Sequence, residues 1–238
     1  MLNISDIIIY FMIYSFLGWL LESIVASIRA KKFINRGFLY GFICPIYGYG
    51  ATIVIFSSGL VFRYVGNYAS YAFIINIAIS IILVTALEYI TGYVMEKIFK
   101  CKWWDYSNHA WNLHGYICLQ TSILWGVLAF ILLQFLHPEF SEIVNAIPNN
   151  LKKYISLFLF TYLLIDTIMS MISTLQLRKI IILQTNYSAK RYTESIKKYS
   201  RIFRAFPHLL SLNANNAQRH IRGTLREKVE RIKNSNKK

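Results

Sequence analysis

Hydrophobic positions run through this chain in long unbroken blocks. They show neither the alternation of a half-buried strand nor the single stripe of a soluble amphipathic helix. Five blocks reach the roughly 20 residues that a helix needs to cross the ~30 Å hydrocarbon core. They are Ile7–Ile28, Gly37–Phe62, Tyr71–Ile98, Gly115–Leu136 and Tyr154–Leu177. Backbone groups in hydrocarbon must be hydrogen-bonded within the protein, so blocks of this length predict helices, not barrel strands. The expected fold class is an all-α integral membrane protein with about five transmembrane helices. The membrane domain covers residues 1–177, and residues 178–238 form a separate tail. The first thirty residues lack a basic leader region and a small-residue cleavage site, which predicts a retained first span.

Composition sharpens that picture. The chain has 238 residues, of which 55% are hydrophobic and 16% charged. A soluble domain carries about 25% charged residues, so an ordinary water-soluble enzyme is excluded. The 26 Lys+Arg outnumber the 11 Asp+Glu, and the tail alone holds 16 of the basic residues against three Glu. Between the spans, the first linker carries Arg29, Lys31, Lys32 and Arg36, and the third carries Lys97, Lys100 and Lys102. The positive-inside rule then puts the N-terminus outside and the C-terminus in the cytoplasm of a bacterial plasma membrane. Lys152 and Lys153, in the fourth linker, run against that assignment. In the tail, Ala189–Ala205 and Ala217–Lys233 are expected to form short basic helices. Ile196, Tyr199, Ile202 and Phe203 recur near helical spacing among Lys197, Lys198, Arg201 and Arg204, an interfacial pattern suited to anionic lipid headgroups. No base-reading motif accompanies the charge, so nucleic acid is not an expected partner.

The chain also resembles itself. Phe16–Ile24 lies over Ile90–Ile98, each reading Gly-aromatic-x-x-Glu-x-Ile. Arg36-Gly37-Phe38-Leu39 lies over His114-Gly115-Tyr116-Ile117, with Tyr47-Gly48 over Trp125-Gly126. This predicts a parallel two-helix repeat, spans 1–2 and spans 3–4, about an axis along the membrane normal.

Charged groups inside spans are costly and therefore informative. Glu22 and Glu96 sit near helix C-terminal ends, where the dipole disfavours a carboxylate. Arg36 is at hand for Glu22, and the two acids read either as interfacial clips or as gating groups. Glu88 lies deeper, with Tyr14 as its repeat counterpart, and is the leading candidate for a proton or cation site. Asp166, mid-way along the last span, is another. A transport site of this kind predicts a polar cavity lined by Glu88 or Asp166. Around Gly41, Cys44, Pro45, Tyr47 and Gly48, proline and glycine predict a kinked or broken helix beside a cavity, although close packing also accounts for the glycines. The Trp-rich third linker holds Trp104, Asp105, Tyr106, Asn112 and His114, which read as an aromatic belt or as a loop folded under the bundle. Cys44, Cys101 and Cys118 make no disulfide framework and no metal-ligand spacing with histidine. No nucleotide-binding or hydrolase motif is present, so no metal, cofactor or catalytic residue is expected.

The runs YSFLGWLLES, NRGFLYGFICPIYGYGA, LEYITGYVMEKIF, WWDYS and NLHGYICLQTSILWG resemble the bacterial family described as putative ABC-transporter type IV, over about residues 10–130. Glu22, Arg36, Cys44, Pro45, Tyr47, Glu88, Trp104, Asp105, Tyr106 and Asn112 match that pattern. His114 departs from it, standing where the family commonly has Arg. The resemblance implies a permease component that moves a small solute, coupled to ions or to an ATPase on a separate chain. Five spans are few for a pore, so a homodimer is expected. The alternatives are a membrane scaffold or regulator with a lipid-binding tail, and a membrane-embedded lipid-modifying enzyme built on Asp105 with His109 or His114.

Overall fold

The computed structural model describes residues 3–65, 69–182 and 200–206. The described residues form α1 (Ile4–Ala30), α2 (Pro45–Val65), α3 (Ala69–Phe99), α4 (Leu119–Ile131), α5 (His137–Ala146), α6 (Asn149–Ile182) and α7 (Ser200–Ala205). A π-helical turn, Leu132–Leu136, joins α4 to α5 without a break. Five segments are long and apolar enough to cross a membrane: α1, α2, α3, the continuous α4–α5 segment and α6. Large apolar side chains such as Phe56, Ile74, Ile82 and Phe158 are more than 60% exposed along these helices. Apolar surface of that extent belongs against lipid, and the protein is a multi-pass membrane protein.

Helix α1 packs between α2 and α6, α2 packs on α3, and α3 on α4. Where α1 begins, Asn3 N–H donates to Asp6 Oδ2 at 3.2 Å. The other carboxylate oxygen of Asp6 meets Lys152 Nζ of α6 at 2.8 Å, with both side chains buried. Ser156 Oγ donates to Ser5 Oγ nearby. Lys152, one of the two lysines that run against the positive-inside count, is thus paired with an acid inside the bundle.

The fourth span also continues past its expected end at Leu136. Pro138 follows the π turn, whose wider loop tolerates a residue that has no N–H to donate.

The second span differs from its expected bounds in an instructive way. Gly37–Cys44 is not helical, and α2 starts at Pro45. Residues 34–44 instead run back along α1. Ile34 N–H donates to Ser27 Oγ at 2.9 Å, and Arg36 N–H to Ser23 Oγ at 3.2 Å. Trp19 Nε1 donates to Asn35 Oδ1 at 2.9 Å, and Cys44 N–H to Ser15 O at 2.9 Å. Ser15, Trp19, Ser23 and Ser27 recur every four residues, so one α1 face is a rail for this segment. The twelve residues from Ser27 to Ser15 rise about 18 Å, and α2 therefore starts alongside the middle of α1.

Residues 100–118 fold back along α3 before α4 begins, with Tyr106 and Trp125 reaching Glu88 well inside that helix. Most of the tail lies outside the described residues, including Ala217–Lys233 and the start of Ala189–Ala205.

Candidate functional site

The first re-entrant segment, residues 34–44, is bonded to α1, α6 and α7. Irregular backbone beside a transmembrane helix must find partners within the protein. Asp166 of α6 supplies acceptors: Oδ1 takes Tyr40 N–H at 2.9 Å, and Oδ2 takes Gly41 N–H at 2.8 Å. Ser170 Oγ also donates to Asp166. Gly41 is required here, because a methyl group on it would collide with Tyr162 Oη and stand 2.8 Å from Asp166 Oδ2. The carbonyl edge is held by Arg201 of α7. Its Nη1 donates to Leu39 O at 2.6 Å, and its Nη2 donates to Phe38 O at 3.0 Å. Nη1 also reaches Gly37 O at 3.3 Å. Burial lowers the Arg201 guanidinium from its usual value, with Tyr40 and Asp166 opposing that shift. Arg36 donates to Ala205 O, stacks over the Phe206 ring at 5.1 Å, and pairs with Glu22 Oε2 at 3.6 Å. Ile202 packs with Phe99 and Trp103. Arg201, Ile202 and Phe206 thus engage protein, through the carbonyls of residues 37–39, Phe99 with Trp103, and Arg36.

Above that knot lies a layer of aromatic residues and carboxylates. Tyr47 OH donates to Glu22 Oε1 at 2.8 Å. Trp125 Nε1 donates to Glu88 Oε2 at 2.9 Å, and Tyr106 OH to Glu88 Oε1 at 3.3 Å. Burial first, then the charges of Glu88 and Glu22, push the Tyr106 phenol up from its usual value, so it stays a proton donor to Glu88. The Tyr47 and Trp125 rings meet with centroids 5.2 Å apart. Tyr47 fits because position 18 is glycine; a methyl there would strike the Tyr47 ring.

This aromatic pair borders a cavity of about 310 Å³ among α1–α4. Leu17, Leu21, Val54, Val84, Leu128 and Leu132 give it hydrocarbon walls. Its polar-tipped residues are Tyr14, Tyr47 and Trp125, and their polar atoms bond to groups that do not line it. Tyr14 OH pairs with His137 Nδ1 at 3.0 Å, next to the π turn. The cavity therefore differs from the polar one expected: it is apolar, Glu88 stands behind Trp125, and Asp166 is engaged elsewhere.

The second re-entrant segment is held differently. Tyr116 OH donates to Glu96 Oε2 at 2.9 Å, and Trp104 Nε1 to Tyr116 O at 2.8 Å. Asp105 Oδ1 accepts from Ser107 N–H at 3.0 Å and lies 3.6 Å from Lys102 Nζ. Asn112 Nδ2 donates to Ser107 O and His109 O. His114 Nδ1 meets Tyr89 OH at 3.1 Å. Among the described residues, no group of three or more His, Cys, Asp or Glu could hold a metal.

The structure thus joins Glu22, Arg36 and Tyr47 in one group and Glu88 with Tyr106 and Trp125 in a second beside it. Gly41 and Asp166 belong to the segment clamp below. Cys44 and Pro45 form the joint into α2, and Gly48 lets α2 approach Ser15 and Phe11 of α1. Sequence reasoning missed Arg201 and Trp125 as site residues and the Asp6–Lys152 pair. Trp125 had a usable signal, since it aligns with Tyr47 in the repeat.

Comparison with known proteins gives one match. The family model described as Putative ABC-transporter type IV matches residues 9–171. The search of curated proteins and the search of solved structures found no match.

Proposed function

Because the chain belongs to the putative ABC-transporter type IV family, we propose that it is the membrane component that moves a small solute in a transport system. The solute site is the cavity among α1–α4. The observation that carries this is the Tyr47–Trp125 pair, which stands between an apolar cavity and two carboxylates. Separation of the two rings would connect the cavity to Glu22 and Glu88, so the pair is the natural gate. Glu88 is the principal charged group, and Tyr106 and Trp125 hold it in place.

A parallel repeat is supported by the two re-entrant segments, one in each half, and by the meeting of Tyr47 with its aligned counterpart Trp125. An orientation with the N-terminus outside and the C-terminus in the cytoplasm of a bacterial plasma membrane draws support from Lys152, whose charge Asp6 offsets. A separate ATPase would then dock on the cytoplasmic side, at the basic linkers and α7, with homodimerisation completing the pore. Anionic lipid headgroups are the proposed partner of the rest of the tail.

The test is uptake into proteoliposomes containing the full chain, with and without its ATPase, across a broad panel of labelled solutes. Uptake above empty vesicles is expected, and Glu88→Gln should lower it at least about tenfold, as loss of one charge-assisted contact of about 1.5–3 kcal/mol permits. Unchanged uptake in Glu88→Gln would overturn the assignment. A second reading, a membrane regulator without transport, is favoured by one observation: Asp6, Glu22, Glu88, Glu96 and Asp166 all have partners within the protein. Absence of uptake for every solute with the ATPase present would select it.

A further inference from the structure

We infer that the cavity among α1–α4 takes a lipophilic organic cation. This rests on the reading of that cavity as the solute site. Its volume, about 310 Å³, is at the small end of the roughly 300–1,000 Å³ found for small-molecule sites. Hydrocarbon walls accept an apolar body and offer a neutral polar solute almost nothing to bond. One side is different. There the Tyr47 and Trp125 rings stand 5.2 Å apart and tilted by 55°, an aromatic corner that can face a positive centre.

The charges behind the corner have one sign in excess. Glu22 pairs with Arg36, but among the described residues no cation lies within ion-pair distance of Glu88. Both Glu88 oxygens accept hydrogen bonds, from Trp125 and Tyr106. Tyr47 and Trp125 each donate to a carboxylate, which adds electron density to the rings that face the cavity. The site thus favours a cation over a neutral molecule of the same shape, and it repels an anion. A lipid acyl chain would fill the same walls but would gain nothing from the carboxylate.

The experiment compares benzyltrimethylammonium with neopentylbenzene, its neutral carbon isostere. The full chain is held in phosphatidylcholine nanodiscs, and empty discs give the lipid background. Saturable binding of labelled benzyltrimethylammonium is expected, with at least tenfold weaker competition by the isostere and at least tenfold weaker binding in Glu88→Gln. Ala129→Trp, which fills the cavity, should abolish binding. If Glu88→Gln fails to fold, the cation-to-isostere ratio in the unaltered chain decides alone. Equal competition by neopentylbenzene overturns the inference and leaves an acyl-chain site, as does absence of saturable binding. Cation binding without uptake of any solute overturns the transport reading and supports this one. Uptake of other solutes without cation binding does the reverse.

Discussion

Asp166→Asn is the most informative single change to the clamp on residues 37–44. The two side chains have the same shape, so packing against Tyr162 and Ser170 is retained. What changes is the acceptor set. Asp166 offers one oxygen to Tyr40 N–H at 2.9 Å and the other to Gly41 N–H at 2.8 Å. Asparagine keeps one oxygen and turns an NH2 toward the second amide; facing Gly41 it leaves that N–H without an acceptor, whereas facing Tyr40 it leaves that N–H with Ser170 Oγ at 3.1 Å. An orphaned buried donor costs about 1–3 kcal/mol, and the surviving bond loses about 1 kcal/mol of charge assistance. The total of about 1–4 kcal/mol, lowest where Ser170 Oγ keeps the Tyr40 N–H, corresponds to a roughly 5- to 700-fold rise in local opening, at about 1.4 kcal/mol per tenfold. Hydrogen exchange by mass spectrometry on a peptide covering residues 37–44 reads this directly. A peptide from α2, residues 50–62, should be unchanged. Exchange of residues 37–44 within threefold of the unaltered chain would refute the reasoning. So would a rise shared equally with α2, since that means global loosening. Arg201→Ala should act on the same segment, and the double variant should be less damaging than additivity predicts, because both grip one strand.

The remaining predictions concern packing and charge. Lys152→Met leaves Asp6 buried without its cation and should cost about 3–5 kcal/mol in equilibrium unfolding, whereas Lys152→Met with Asp6→Asn should recover more than half of that. A double variant less stable than the single one would contradict the pairing argument. Gly18→Ala forces a methyl into the Tyr47 ring and should destabilise by about 1–3 kcal/mol. Gly59→Ala, where the space is open, should be neutral or stabilise by about 0.5–1 kcal/mol. Equal melting shifts for the two glycines would mean that Tyr47 is not held by the space at position 18.

The five spans were legible because apolar length is a local signal. Their ends were not. Residues 37–44 are as apolar as a helix, and only the partners of their backbone, Ser15, Asp166 and Arg201, reveal an extended segment. Pro45 did mark the break, as the first residue of α2 and not as a kink within it. Asp166 stood out as a costly mid-span acid, but its partners are amides 126 and 125 residues away, a separation that no periodicity reports. Glu88 was visible for the same reason of cost, and Trp125 beside it only as the residue set over Tyr47, since one tryptophan in an apolar helix is otherwise unremarkable until its N–H is seen to be used. In the Trp-rich linker, Trp103 is buried among Phe99 and Ile202, whereas Trp111 is 85% exposed.

The clamp on residues 37–44 also fixes an order of events during synthesis. Leu39 waits for Arg201, 162 residues further along the chain. At about 5–20 residues per second, that wait lasts roughly 10–30 s. The first hairpin therefore enters the bilayer with the turn between its helices unclosed, and the amides of Tyr40 and Gly41 and the carbonyls of Phe38 and Leu39 must stay wet until α6 and then α7 arrive. Assembly of the bundle runs to its last described helix before the first turn is sealed, so a chain truncated ahead of α7 would keep all five spans and still leave that turn open to water.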